Sequence, residues 1–315
     1  GESYRQALAA LWLSIYLGSF GTRARRGGGS IIVLNNPEDN FGLDFIAKGS
    51  SPREVANWII ENFKKVCKMI TGDEKPEKFA VSYSNLSFSR FIISKKNFDS
   101  WIDALNDIGK IFMDFRTRPK KEIFDSAVFG LPVLYRSSDN IVLGGNFDKI
   151  NKVKEKIERR SSPLWIKVLK SQEKFYWMVL RLSGEFLEEG KVLLNVKRKD
   201  STILGSQKPD YRLIDEFWNT LKNDYGEEFI LSMPKYLDNI TEKIKREIDP
   251  KKIILFGSRA RGDAYKKSDI DIAVDTDKPL SFPEPIVDII NLNKVKQELR
   301  EKIEKEGVII YERKT

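Results

Sequence analysis

The stretch Gly257–Val274 reads G-S-R-A-R-G-D-A-Y-K-K-S-D-I-D-I-A-V, and it follows an apolar run, Lys252–Phe256. No other part of the chain restricts its own folding so tightly. A strand must end at a Gly-Ser turn that opens a helix, and a second strand must then carry two acids. A helix start of this kind presents backbone N–H groups to an anion. Arg259 and Arg261 add positive charge for phosphate. Asp269 lies eleven residues after Ser258, and Asp271 lies two further on. On a strand, positions i and i+2 face the same side. Paired carboxylates are hard oxygen donors that suit Mg²⁺. Two such ions about 3.5–4 Å apart can activate a hydroxyl and stabilise a leaving pyrophosphate.

The order and spacing resemble a minimal nucleotidyltransferase domain of the DNA polymerase β superfamily. The resemblance implies nucleotide binding at Gly257, Ser258, Arg259 and Arg261. It also implies catalytic and Mg²⁺-holding roles for Asp269, Asp271 and a third carboxylate. By position in P-I-V-D-I-I the third is Asp288. An NTP would be the substrate, with an acceptor hydroxyl on RNA or protein. Leu237, Ile240 and Ile244 stripe a helix before the motif. Glu298–Glu306 reads as a helix after it, and Val308–Tyr311 as a closing strand. The family usually carries a helix between its second and third strands. Here only Asp275–Pro285 is available, with Pro279, Pro283 and Pro285 in it. Proline removes a helical donor and clashes with the preceding turn. That helix is therefore expected to be absent, and both an active transferase and a non-catalytic module stay open.

A second constellation lies near the start. Gly18–Ser30, G-S-F-G-T-R-A-R-R-G-G-G-S, holds five of the 20 glycines and Arg23, Arg25 and Arg26. An apolar run, Ala7–Leu17, precedes it and a β-like run, Ile31–Leu34, follows. Glycine allows positive φ and close backbone approach. Arginine offers a planar fork of donors for phosphate. A phosphodiester chain can lie on such a surface, although a merely solvated charged loop has the same composition.

With A-L-W-L-S-I-Y-L before it, this loop resembles the glycine-rich loop of CRISPR RAMP proteins, in particular the family of subunit one of the Cmr (type III-B) effector complex. F-G-L-P-V at Phe129–Val133, R-R-S-S-P-L-W-I-K at Arg159–Lys167 and D-Y-R-L-I-D-E-F at Asp210–Phe217 agree in order. The resemblance implies RNA contacts at Gly21, Arg23, Arg25, Arg26, Gly27, Gly29 and Ser30. Arg159 and Arg160 join that set. The basic cluster Arg116–Lys121, with Arg116 and Arg118, reads either as charge complementing a helix C-terminus or as a loop in the path of RNA. Guide RNA, target RNA and other Cmr subunits are the implied partners, and no cofactor is implied for this part. Some seventeen residues precede the loop, so the resemblance implies an incomplete first unit.

The expected fold class is α+β: ferredoxin-like (RRM-like) RAMP units over 1–125 and 126–224, then a small α/β nucleotidyltransferase-like domain over 227–315. Asn223-Asp224-Tyr225-Gly226 reads as the linker. Helices are expected at Pro52–Thr71, after a Ser51–Glu54 capping box, at Phe98–Phe115 and at Leu213–Leu221. Trp101 and Ile102 are expected on the packed face of the second of these. Strands are expected at Phe79–Tyr83, Phe88–Ile93, Val128–Tyr135, Pro163–Lys170, Phe175–Leu182 and Val192–Val196. Ile150–Arg160 reads as a charged helix or arm, and Lys197–Pro209 as a loop.

Lys and Arg number 55 against 46 Asp and Glu, a net charge of +9, which favours a polyanionic partner. The absence of histidine excludes Ser-His-Asp and Cys-His catalysis and histidine metal sites. A single cysteine, Cys67, excludes an intrachain disulfide and fits a reducing cytoplasm. With 32% charged residues the composition leans towards a thermophile. Ala7–Leu17 is too short for the roughly 20 residues that span a bilayer, so no membrane partner is expected.

Overall fold

A computed structural model describes residues 1–80, 84–118, 122–135, 139–148, 152–280, 282 and 286–313. The chain divides into two compact units. The first comprises Gly1–Pro76, Ser89–Leu182 and Gly190–Ser232; the second comprises Glu77–Phe88, Ser183–Glu189 and Met233–Thr315.

The first unit opens with α1 (Glu2–Tyr16) and α2 (Pro52–Thr71). The Ser51 hydroxyl accepts from the Glu54 N–H, so the expected cap forms, and Gly72 ends the helix in the left-handed region. Trp12, Tyr16 and Trp58 join the two helices, with ring centroids 4.8–5.9 Å apart. Then come β1 (Asn85–Ser94), α3 (Trp101–Thr117), β2 (Gly130–Leu131), β3 (Val133–Tyr135), β4 (Asn140–Phe147), β5 (Val153–Ile157) and β6 (Arg160–Ser161). After these follow β7 (Leu164–Ser171), β8 (Lys174–Ser183), β9 (Val192–Lys197), β10 (Ile203–Gln207), α4 (Arg212–Thr220) and β11 (Gly226–Ser232).

One sheet has the order β11-β1-β8-β7. Its strands and the helices α3 and α4 follow one another as β1-α3-β7-β8-α4-β11. That is the β-α-β-β-α-β sequence of a ferredoxin-like unit. A second sheet, β10-β9-β4-β3 with β5 on β4, is built from the segments inserted between those elements. Phe112, Phe115, Phe129 and Phe217 interlock between α3 and α4, with centroids 5.1–6.4 Å apart.

On this sheet Arg90 of β1 pairs with Glu228 of β11 at 2.7 Å, and Arg181 of β8 pairs with Asp215 of α4 at 2.6 Å. Trp218 Nε1 donates to Glu228 at 2.8 Å. Burial alone would raise the Glu228 carboxyl, but Arg90 and Lys222 outweigh it and hold it down to about 2. These charges are paired and hydrogen-bonded, which is what buried ions require.

The second unit contains α5 (Lys235–Ile248), β12 (Lys252–Phe256), α6 (Gly257–Arg261), β13 (Ile270–Asp275), β14 (Val287–Asn291), α7 (Gln297–Glu306) and β15 (Val308–Glu312). The sheet order is β14-β13-β12-β15; β12 is antiparallel to both neighbours and β13 is parallel to β14. Ile254, Ala273, Leu292 and Ile303 form a core cluster between sheet and helix.

Several expectations are corrected. The boundary drawn at residue 125 falls inside the first unit, because β1 and α3 share one arrangement with β7, β8, α4 and β11. The supposed linker is a π-helical turn, Leu221–Tyr225, running straight into β11, whose ladder with β1 satisfies its backbone. Ile150–Arg160 contributes β5 and β6 rather than a helix, and Lys197–Pro209 contains β10. Ile31–Leu34 forms no strand; just before it Ser30 Oγ, in place of a ladder carbonyl, accepts from Val168 N at 3.1 Å. Trp101 and Ile102 are exposed, and Ala104, Ile108 and Phe115 form the buried face of α3. Phe79 and Ala80 are not in a strand, and residues 81–83 of that expected strand lie outside the described residues. No helix of the described residues is long and apolar enough to cross a membrane.

Candidate nucleic-acid cleft and candidate nucleotidyl-transfer site

The glycine-rich loop lies along β7. Arg25 O accepts from Ile166 N at 3.2 Å, and Gly27 N donates to Ile166 O at 3.0 Å. Lys167, 1% exposed, donates to the Gly18 carbonyl, and burial lowers its ammonium to about 8. Two glycines in the left-handed region serve this docking, and Gly29 has the stricter limit because it meets backbone. A Cβ on Gly29, at φ +75, would stand 1.7 Å from Phe20 O; one on Gly27, at φ +83, would stand 2.3 Å from Leu105 Cδ1.

Docked this way, the loop places Arg25 and Arg26 in a cleft of 470 Å³ with Arg159 and Arg160. Phe112, Phe129 and Phe217 supply an aromatic wall, and no acidic side chain is among the described residues lining the cleft. Arg160 is set by β6, which pairs with β2 through Leu131. Arg25 stacks on Trp165 at 4.5 Å. Burial first, and Arg160 second, lower its guanidinium to about 10. Arg25 Nη1 is buried without a hydrogen-bond partner among the described residues. Arg116 lies over the Phe129 ring at 4.9 Å; burial and then Arg26 lower it.

The other sequence-derived residues fall elsewhere. Arg118 lies over Phe115 at 5.2 Å. Gly21 and Arg23 are exposed on positive φ. Gly27, Gly29 and Ser30 line a neighbouring cavity. Pro119, Lys120 and Lys121 of the basic cluster lie outside the described residues. Trp165 and Lys167 sit within the R-R-S-S-P-L-W-I-K run but carried no signal distinguishing them from core; the phenylalanine wall gave none either.

In the second unit the parallel register sets Asp271 of β13 directly beside Asp288 of β14. Asp269 precedes β13 and is exposed, as is Asp288, while Asp271 is half-buried. Burial raises the Asp271 carboxyl, and Asp288 and then Asp269 raise it further, against Arg261. Asp269 and Asp288 thus both act on Asp271. A Cβ on Gly257, at φ +70, would stand 2.0 Å from Asp271 Oδ2, so the Gly-Ser turn and the acids meet. No helix occurs among the described residues between β13 and β14, as the prolines predict, yet the register is kept. Residues 281 and 283–285 of that connection lie outside the described ones.

The two arginines of this motif are engaged within the unit. Arg259, 9% exposed, donates from Nη2 to Ser268 O at 2.8 Å and lies 5.0 Å over Phe79; Arg261 pairs with Asp263 at 3.3 Å. α6 has only five residues, and the Ser258 carbonyl accepts from Gly262 N and Asp263 N. The donor set is all hard oxygen, which fits Mg²⁺. Among the described residues no group of three or more acids forms a ready metal cage.

A strand-turn-helix carrying adjacent carboxylates across parallel strands is the arrangement of a nucleotidyltransferase-like domain. Residues 238–315 match the family model described as Polymerase beta, Nucleotidyltransferase. Among solved structures, this chain is similar to Cmr1 from Pyrococcus furiosus in its apo form, at 14% identity with a TM-score of 0.42, over 74% of this chain and 60% of that one. The chain spans 60% of the length of that protein. No curated protein matches. The family-model match coincides with the resemblance read from the Gly257–Val274 motif.

Proposed function

We propose that the first unit is an RNA-binding RAMP subunit of a Cmr-type CRISPR ribonucleoprotein, serving antiviral defence in the cytoplasm beside other Cmr subunits. One observation carries this reading: arginines from two distant stretches, Arg25 and Arg26 with Arg159 and Arg160, line a single cleft without acids. Arg25 Nη1, buried without a hydrogen-bond partner among the described residues, and the lowering of Arg25 by burial and then by Arg160 support a site that takes an anion. Phosphates of guide or target RNA supply that anion. Backbone contacts of this kind position a strand and carry little sequence information. Replacing Arg25, Arg26 and Arg160 by alanine should weaken binding to RNAs of unrelated sequence by similar factors in a filter assay at low salt. Undiminished binding would refute the reading.

The adjacency of Asp271 and Asp288 on parallel strands, beside the Gly257 turn, favours a second activity, Mg²⁺-dependent transfer of a nucleoside monophosphate from an NTP to a hydroxyl on RNA or protein. Asp269, Asp271 and Asp288 would hold the ion, which would neutralise developing phosphate charge. Gly257 leaves room for the Asp271 carboxylate, and the strand register sets Asp288 beside it. Label from ATP should reach an acceptor with the parent chain and Mg²⁺, and fail to do so with Asp269→Ala. Label transfer that survives Asp269→Ala would remove these acids from the reaction.

A further inference from the structure

Next to the arginine cleft lies a second cavity of 390 Å³, lined by Gly27, Gly29, Ser30, Trp101, Leu105 and Phe175 among others. Trp101 is 53% exposed at the first turn of α3, where the helical spacing had placed it on the packed face. Ser100 caps this turn by accepting from Asp103 N, so the indole is carried by a fixed backbone. A large aromatic ring left half in water, inside a concavity, offers apolar surface whose covering by a flat ligand is favourable.

The two cavities share one loop and one strand. Arg25 and Arg26 line the first and Gly27–Ser30 line the second; Leu164 and Ile166 of β7 line the first and Val168 lines the second. Residues 164, 166 and 168 alternate along β7 and so share a face. At about 3.3 Å per residue they span roughly 13 Å. The glycines carry no side chains to cover the indole. A strand whose phosphates rest on Arg25 and Arg26 therefore passes over an open aromatic platform.

We propose that Trp101 stacks a nucleobase of single-stranded RNA, in the glycine-lined cavity that continues the arginine cleft. This rests on the RNA-binding reading and narrows it: the bound strand is unpaired here, because a base in a duplex has no free face to offer. Every base has a π-face, so stacking tolerates any sequence and matches the phosphate-only readout of the cleft.

The test uses the full chain and a fluorescein-labelled unstructured RNA, read by anisotropy at low salt. Trp101→Ala should weaken binding about five- to hundredfold, the range of one lost base stack. Trp101→Phe should retain most of the affinity. Duplex RNA and inorganic polyphosphate should bind Trp101→Ala as they bind the parent. Unchanged single-strand affinity in Trp101→Ala, while Arg26→Ala/Arg159→Ala weakens both RNA and polyphosphate, would overturn the stacking site and leave the cleft standing. Equal weakening towards polyphosphate would also overturn it, since the change would then act on the loop and not on a base. If the arginine variant binds as the parent does, the cleft reading fails on its own.

Discussion

Gly29 and Gly21 share nearly the same backbone angle, φ +75 and +76, but not the same surroundings. A Cβ on Gly29 would collide with Phe20 O, whereas one on Gly21 meets open space. Gly29→Ala should therefore cost about 2 kcal/mol or more, and Gly21→Ala about 1 kcal/mol, in urea unfolding. Equal costs would mean that the loop does not depend on this close approach. In the second unit, burial first, and then Asp288 and Asp269, raise Asp271, so its ionised form strains the fold at neutral pH. Asp271→Asn should raise the Tm in metal-free buffer. Mg²⁺ at millimolar concentration should raise the Tm of the parent and not of this variant. A parent that ignores Mg²⁺ would contradict the metal-holding role. At this scale Arg159, Arg160 and the D-x-D pair were legible because charge runs and fixed spacings survive without context. Trp101 was not, because a helical stripe cannot say where the packed face ends.

The elements show where local reading stops. α2 announces itself through Ser51, Pro52 and Gly72, all within its own sequence. β11 does not: it meets β1 across 138 residues, in the register pair Phe91–Phe229 and in the diagonal Arg90–Glu228 ion pair, and its charged approach imitates a linker. That pair also gives β11 a measurable signature. The folded-state pKa of Glu228 is depressed to about 2, below the roughly 4.3 of an unfolded chain. The unfolded state takes up a proton first as pH falls. The stabilisation is thus complete above about pH 4.3 and disappears between there and pH 2. Glu228→Gln should cost about 3–5 kcal/mol at pH 7 by leaving Arg90 buried without its counter-charge. Its stability should also depend less on pH across that window. Parallel pH profiles for parent and variant would show that the pair is not formed. β5 and β10 were missed for a different reason: each is the second arm of a local hairpin, on β4 and on β9, and with no buried residue it gives no apolar alternation to read.

For the molecule as a whole, the surplus of +9 speaks to association with a polyanion, and the fold decides where the charge is concentrated. The fold class was legible from motif order, because strand-forming runs and glycine turns recur in sequence. The single ferredoxin-like sheet assembled across residue 125 was not, since strand order is a long-range property. The central claim is that Arg26 and Arg159, exposed at the rim of one cleft, hold RNA through its phosphates. Its most direct measurement is the slope of log affinity against log salt concentration for a single-stranded RNA. Arg26→Ala/Arg159→Ala should bind more weakly at low salt, with a slope shallower than the parent's by about 1.4, roughly 0.7 per phosphate contact removed from a single strand. An unchanged slope, with affinities that coincide at every salt concentration, would contradict the account.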